Sequence, residues 1–194
     1  MPGTIGVGPR PSVPRWRVGV LDPDSRARAE TSRLIEAAGG MVVVDSPPRP
    51  DSVALLRRMQ PDAVLLAADD GLLPPRGGPS GPALDLPGAV VLLVSAARGL
   101  GRRAARTPGV MGVLLRPLQP EAIGPILDVA VARFRELRRL RLALADRPLV
   151  EQAKARLMAR EGFTEPDAFG WLRRRAMDRR VRIGEVARSV LERA

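Results

Sequence analysis

The chain has 194 residues, a net charge of +11 at pH 7 and 45% apolar content, enough for one or two small domains with a buried core and too apolar for a disordered chain. It contains neither cysteine nor histidine, which excludes disulfides, Cys/His zinc sites and any mechanism built on a cysteine nucleophile or a histidine base. No apolar run reaches the length of a membrane-crossing helix. The opening MPGTIGVGPRPSVPRW is rich in Gly and Pro and lacks the apolar stretch of a signal peptide. Residues 1–15 are expected to be a disordered lead-in, and the protein to be cytoplasmic with no membrane association.

From residue 16 onward, apolar strand candidates alternate with amphipathic helix candidates. WRVGVL (16–21) reads as a strand. SRARAETSRLIEAAGG (25–40) reads as a helix with Ala29, Leu34, Ile35 and Ala38 on its apolar positions and a Gly39-Gly40 stop. MVVVD (41–45) is a strand, and DSVALLRRMQ (51–60) a short helix with Asp51 and Ser52 as candidate N-caps. DAVLLAA (62–68) and AVVLLVSA (89–96) are continuous apolar runs, as in buried parallel strands. Between them, residues 71–88 hold too many Pro and Gly for a regular helix and are expected to form a long loop. A weak helix over 97–107 and a last strand, VMGVLLRP (110–117), complete about five alternations. That pattern predicts an α/β unit, a flavodoxin-like doubly wound sheet, over residues 16–120.

The period then turns helical. Ile123, Leu127, Ala130, Phe134, Leu137 and Leu144 fall on a 4-3 spacing with Arg141 at one seam position, which predicts a coiled-coil stalk over 121–147. Its first half is expected to dock on the sheet near 123–130 and the remainder to make a homodimer. Pro148 is expected to interrupt or kink the helix. Three short helices follow in 148–194: one over 149–161 stopped by Gly162, one opened by Thr164 and Asp167 as a capping box and running to about Asp178, and one over about 183–193. Ala153, Leu157, Phe169, Leu172, Ala176, Val186 and Ala187 have the helical spacing of a bundle core.

The α/β half resembles a response-regulator receiver domain. In that family an acidic pair after the first strand holds Mg²⁺ and an Asp ending the third strand accepts phosphate. VLDPD keeps Asp22, has Pro23 at the second acidic position and continues with Asp24. PDAVLLA puts Ala67 at the phosphoacceptor position, Ser95 matches the hydroxyl position, and Arg116 before Pro117 replaces the lysine. Phosphoryl transfer needs a carboxylate nucleophile and an oxygen cage, so the resemblance implies a pseudo-receiver that signals by protein contact. DGLLPP offers a second register with Asp70 as acceptor, at the cost of three extra residues in a strand that already looks complete. Asp69-Asp70 reads as a solvated pair in preference to a metal site. No phosphate-binding loop, catalytic constellation, metal site or cofactor is expected.

Charge separates the two halves. Residues 1–130 carry 15 Arg against 12 acids, and residues 131–194 carry 16 Arg and one Lys against 9 acids. Arginine supplies 31 of the 32 basic residues; codon usage accounts for Arg over Lys but not for this asymmetry, which points to an anionic partner. The stretch from Val150 to Leu191 resembles the ANTAR domain, the RNA-binding module of transcription antiterminators. The matching residues are Gln152-Ala153-Lys154, Leu157-Met158, Gly162, Ala168-Phe169, Leu172-Arg173, Ala176-Met177 and Val186-Ala187, with Ala155 where many members have Gly. Pseudo-receiver, stalk and tail together are similar in layout to the amide-responsive antiterminators of amidase operons, in which a ligand-sensing protein sequesters the antiterminator. The resemblance implies hairpin loops in leader mRNA as the ligand and such an inhibitory protein as a second partner. The residues nominated for RNA are Arg173 first and Lys154 second, with Arg156, Arg160, Arg174 and Arg180; Trp171 is nominated to stack on an unpaired base. A DNA-binding response regulator and a dimeric adaptor without nucleic-acid binding stand as alternatives.

Overall fold

The computed structural model describes residues 13–68, 86–95 and 104–192. Most of the lead-in, the loop over 71–88 and the weak helix over 97–107 lies outside these residues, as does Asp70. The chain divides into two compact units after Phe134.

The first unit is a five-stranded parallel sheet in the order β2-β1-β3-β4-β5, with β1 at Arg17–Leu21, β2 at Met41–Ser46, β3 at Ala63–Ala67, β4 at Ala89–Ser95 and β5 at Val110–Arg116. This is the doubly wound order of flavodoxin-like domains. The inner strands β1, β3 and β4 are buried over most of their length because both faces are covered, whereas the edge strands β2 and β5 are only partly buried. Val18, Val20, Leu65, Val91 and Leu93 face one core with Ile35 of α1 (Ser25–Ala37). Their alternates Val64, Leu66, Val90, Leu92 and Val94 face the other with Leu56 of α2 (Pro50–Met59). Gly39 ends the α1 turn at φ +88, a conformation a β-carbon would strain.

Local chemistry shifts two helix details from the expected ones. In α1, Ile35 is buried as expected, whereas Ala29 is exposed and Thr31 is buried, its hydroxyl donating to the Ala27 carbonyl at 2.8 Å. Helix α2 starts one residue early, at Pro50, whose fixed φ suits a first turn. Arg49 takes the N-cap position without a side-chain bond, Asp51 sits in the first turn, and the Ser52 hydroxyl is used on the Pro47 carbonyl at 2.7 Å.

Helix α3 runs unbroken over 42 residues, Pro120–Glu161. Ile123, Leu127 and Ala130 are buried in the sheet unit's core as expected. Trp16, also in that core, donates its indole N–H to Asp128 at 3.1 Å. Leu137 and Leu144 are exposed. Pro148 does not interrupt the helix. It is exposed, as is Leu144 one turn earlier, so the carbonyl that loses its intrahelical donor can be hydrated instead of stranded in a core.

In the second unit, α3 ends at Gly162 (φ +67). Helix α4 (Glu165–Arg179) opens at Thr164, whose side chain accepts from the Asp167 amide at 3.4 Å, with Pro166 in the first turn, as the capping pattern predicts. Helix α5 spans Ile183–Glu192. Val150, Ala153, Leu157, Ala168, Leu172, Ala176, Val186 and Ala187 form the core. Phe169, expected there, is 45% exposed; Ala168, one position back, takes the inward place. Small residues let the helices approach closely. A β-carbon on Gly184 would lie 2.0 Å from the Oδ1 of buried Asp146.

An ordinary exposed helical Gly→Ala change gains about 0.5–1 kcal/mol. Here the clash dominates: Gly184→Ala is expected to lower the stability of the helical unit by about 1–3 kcal/mol. Urea unfolding followed by circular dichroism measures it.

Candidate nucleic-acid interface

At the carboxyl ends of the strands, Asp22 follows β1 and is almost fully buried. Its carboxylate is ion-paired with Arg116 at the end of β5 and accepts the Asp24 amide at 2.9 Å. Arg28 of α1 donates to the Asp22 carbonyl at 2.7 Å. Asp24 caps α1, accepting the amides of Arg26 at 2.8 Å and Ala27 at 3.2 Å. Those bonds, Ala27's first, hold its carboxyl below the usual range. Ser95 ends β4 in register with Arg116, and Ala67 ends β3. Sheet topology therefore gathers the residues that the receiver pattern singled out. Both carboxylates, however, are already committed, Asp22 to a guanidinium and Asp24 to a helix terminus. Among the described residues no three acidic groups are grouped as a metal site.

The second concave site lies between α3, α4 and α5 and has a volume of about 310 Å³. Arg156 and Arg160 line it from α3, Arg175 and Arg179 from α4, and Phe163 and Trp171 supply aromatic surface. Trp171, Arg175 and Arg179 are four residues apart and share one helix face. The Arg175 guanidinium stands over the indole ring, 5.2 Å from its centre. Arg156 donates to the Leu191 carbonyl at 3.1 Å, tying α3 to the end of α5. Glu161 is the one carboxylate among the described lining residues.

The nominated residues distribute unevenly over this surface. Arg156, Arg160 and Trp171 converge in the groove. Arg173, Arg174 and Arg180 are exposed but do not line it. Arg173 is two positions beyond Trp171, about 200° around the helix, and shares its face with Phe169. Arg175 and Arg179 were missed; the four-residue repeat from Trp171 was the signal for them. Lys154 is not the surface cation expected: it is 8% exposed and salt-bridged to Glu151 at 2.8 Å and Glu165 at 2.7 Å. Its being the only lysine beside 31 arginines was a sign of a special environment. A compact ammonium with three donors suits a gap between two carboxylates better than a planar guanidinium does. Glu151 first and Glu165 second raise its pKa, and Lys154 lowers that of Glu165.

A model of the ANTAR domain matches residues 138–191. The transcriptional regulatory protein PdtaR of Mycobacterium tuberculosis is 33% identical over 192 residues, covering 93% of this chain and 91% of the relative. The chain belongs to the ANTAR-domain response regulators. Its first unit has the flavodoxin-like receiver fold and its C-terminal unit carries the ANTAR domain. Similar solved structures include ShkA Rec1 in complex with c-di-GMP, at 27% identity and a TM-score of 0.43 over 60% of this chain and 93% of that one. The response regulator PhyR from Brucella abortus matches at 16% identity and a TM-score of 0.46, over 66% of this chain and 51% of that one. The ANTAR match begins inside α3, upstream of Pro148, in keeping with a helix that crosses that residue without a break. No helix among the described residues is long and apolar enough to cross a membrane.

The Lys154 clamp joins α3 to the first turn of α4, so Lys154→Met is expected to destabilise the ANTAR unit. In the wild type its contribution is present in the neutral range. It is lost as the pH falls through the depressed Glu165 value or rises through the elevated Lys154 value. Urea midpoints of wild type and variant should differ at neutral pH and converge at both extremes.

Proposed function

We propose that this regulator binds hairpin loops in leader mRNA through the ANTAR unit and favours antitermination of transcription. The observation that carries the reading is the arginine-walled groove with an exposed edge of Trp171 inside it, on a chain of this family. Folded RNA presents phosphates around unpaired bases. Arginines take the phosphates, and an aromatic ring takes a splayed base. Arg160, Arg175 and Arg179 serve as phosphate contacts and Trp171 as the stacking surface. The apolar seam of Leu137, Leu140 and Leu144 on α3 pairs two copies, so that two ANTAR units engage two hairpins and gain avidity from effective concentration.

The receiver unit works in this reading through protein contacts, without phosphorylation. Ala67 supplies no nucleophile, and Arg116 already neutralises Asp22, the acid that a metal would need. Two arginines, Arg28 and Arg116, with the Asp22 carboxylate and the Asp24 helix cap make this corner a fixed polar network, suited to stabilising one surface for a ligand-sensing inhibitory protein.

Filter binding of hairpin RNA to the full chain should weaken steeply with salt, because each neutralised phosphate releases counterions. Arg175→Ala and Arg179→Ala should each lower affinity and flatten the logarithmic salt slope by about 1. Trp171→Ala should cost about 1–3 kcal/mol with little change in that slope. A salt-independent wild type, or variants that bind like it, refutes the assignment.

Acetyl phosphate with Mg²⁺ should leave the chain without a phosphoryl adduct by intact-mass spectrometry. An adduct mapped to Asp70 would establish the second register and a working acceptor.

A further inference from the structure

The ANTAR unit has a second concavity, of about 710 Å³, on the flank of α3 facing Phe169. Its floor is carbon: Leu142 and Val150 from α3, Phe169 from α4 and Ile183 from α5. Phe169 is the residue that its spacing assigned to the core and that the structure leaves 45% exposed. Arg138, Arg139 and Arg147 stand along the rim. In all, five arginines line the site against Asp146 and Glu151. Arg182 is held by Asp146 at 3.2 Å, whereas Arg138 and Arg147 meet no carboxylate among the described residues.

Three features select the occupant. Apart from Arg182, in the turn before α5, the walls are helices, whose backbones are internally bonded, so no strand edge is offered and a helix laid in the groove is the fitting mode. The floor is mainly aliphatic, so burying a phosphodiester there would leave its oxygens without partners. The rim is cationic, so a second copy of the same face would set like charges opposite one another. The proposed dimer seam of Leu137, Leu140 and Leu144 lies roughly opposite Leu142 on α3 at 3.6 residues per turn; of the rim residues only Arg147, seven residues beyond Leu140, borders that seam.

We propose that this groove docks an acidic amphipathic helix of a partner protein, its apolar face on Leu142, Phe169 and Ile183 and its carboxylates on Arg138, Arg139 and Arg147. Such a helix carries apolar residues at i, i+3, i+4 and i+7 with Asp or Glu on both flanks. The apolar contact holds the complex, and the ionic rim selects acidic over basic helices.

The test uses the full chain and two labelled synthetic helical peptides with identical apolar residues, one flanked by Glu and one by Lys, read by fluorescence anisotropy. The Glu peptide is expected to bind at least about tenfold more tightly than the Lys peptide. Phe169→Ser on α4 and Leu142→Glu on α3 should each weaken the Glu peptide about tenfold or more, with helix content by circular dichroism, RNA affinity and sedimentation unchanged. Absence of Glu-peptide binding, or equal binding of both peptides, overturns the proposal. Loss of RNA affinity in either variant reassigns the groove to RNA, and loss of the dimer reassigns it to a second copy; both results also overturn it.

Discussion

Helix α3 is shared by two cores, and the rest of the molecule is arranged around that constraint. Its first third buries Ile123, Leu127 and Ala130 against the sheet, and its last third buries Val150, Ala153 and Leu157 against α4 and α5. Between them the helix is almost entirely exposed, with Asp146 as the buried exception. A helix of this length is stabilised by tertiary packing at its ends more than by intrinsic propensity in its middle. That is why the exposed segment can carry six arginines and a proline without ending. The same segment displays an apolar seam on one side and a cationic groove on the other, each available only because the helix continues.

Electrostatics divides the ANTAR unit into structural and presented charge. Lys154 and Asp146 are enclosed and paired, the first between Glu151 and Glu165, the second with Arg182. The first joins α3 to the start of α4 and the second joins α3 to the turn before α5, so they fix how the three helices meet. The remaining arginines stay at the surface because burying an unpaired guanidinium is far costlier than hydrating it. Helix periodicity sorts them into two sets on α4: Arg175 and Arg179 beside Trp171, and Arg173 beside Phe169. The two grooves differ for the same reason, one aromatic and cationic, the other aliphatic with a cationic rim.

In the receiver unit an internal ion pair stands where the family's pattern has an acidic metal site. A carboxylate as enclosed as Asp22 needs a cation or several donors; Arg116 supplies the charge, and the Asp24 amide supplies a hydrogen bond. The pair links the ends of β1 and β5, strands that are not neighbours in the sheet. It therefore braces the edge of the sheet where ligands of doubly wound folds usually bind.

The sequence by itself determined the alternation of strands and helices, the parallel sheet and the Gly162 and Thr164 boundaries, because each is set by local periodicity or capping chemistry, and its resemblance to the ANTAR family pointed to the membership that the family match bears out. The convergence of Arg156, Arg160 and Trp171 was legible only as a set of candidates. Tertiary structure decided which cations are presented: Lys154 and Arg173 look alike in sequence, yet one is clamped between carboxylates and the other is exposed. It also decided that Phe169 faces out while Ala168 faces in, and that Pro148 is tolerated. Burial and solvent access depend on what the other elements bring near a residue, and no window of neighbouring residues contains that information.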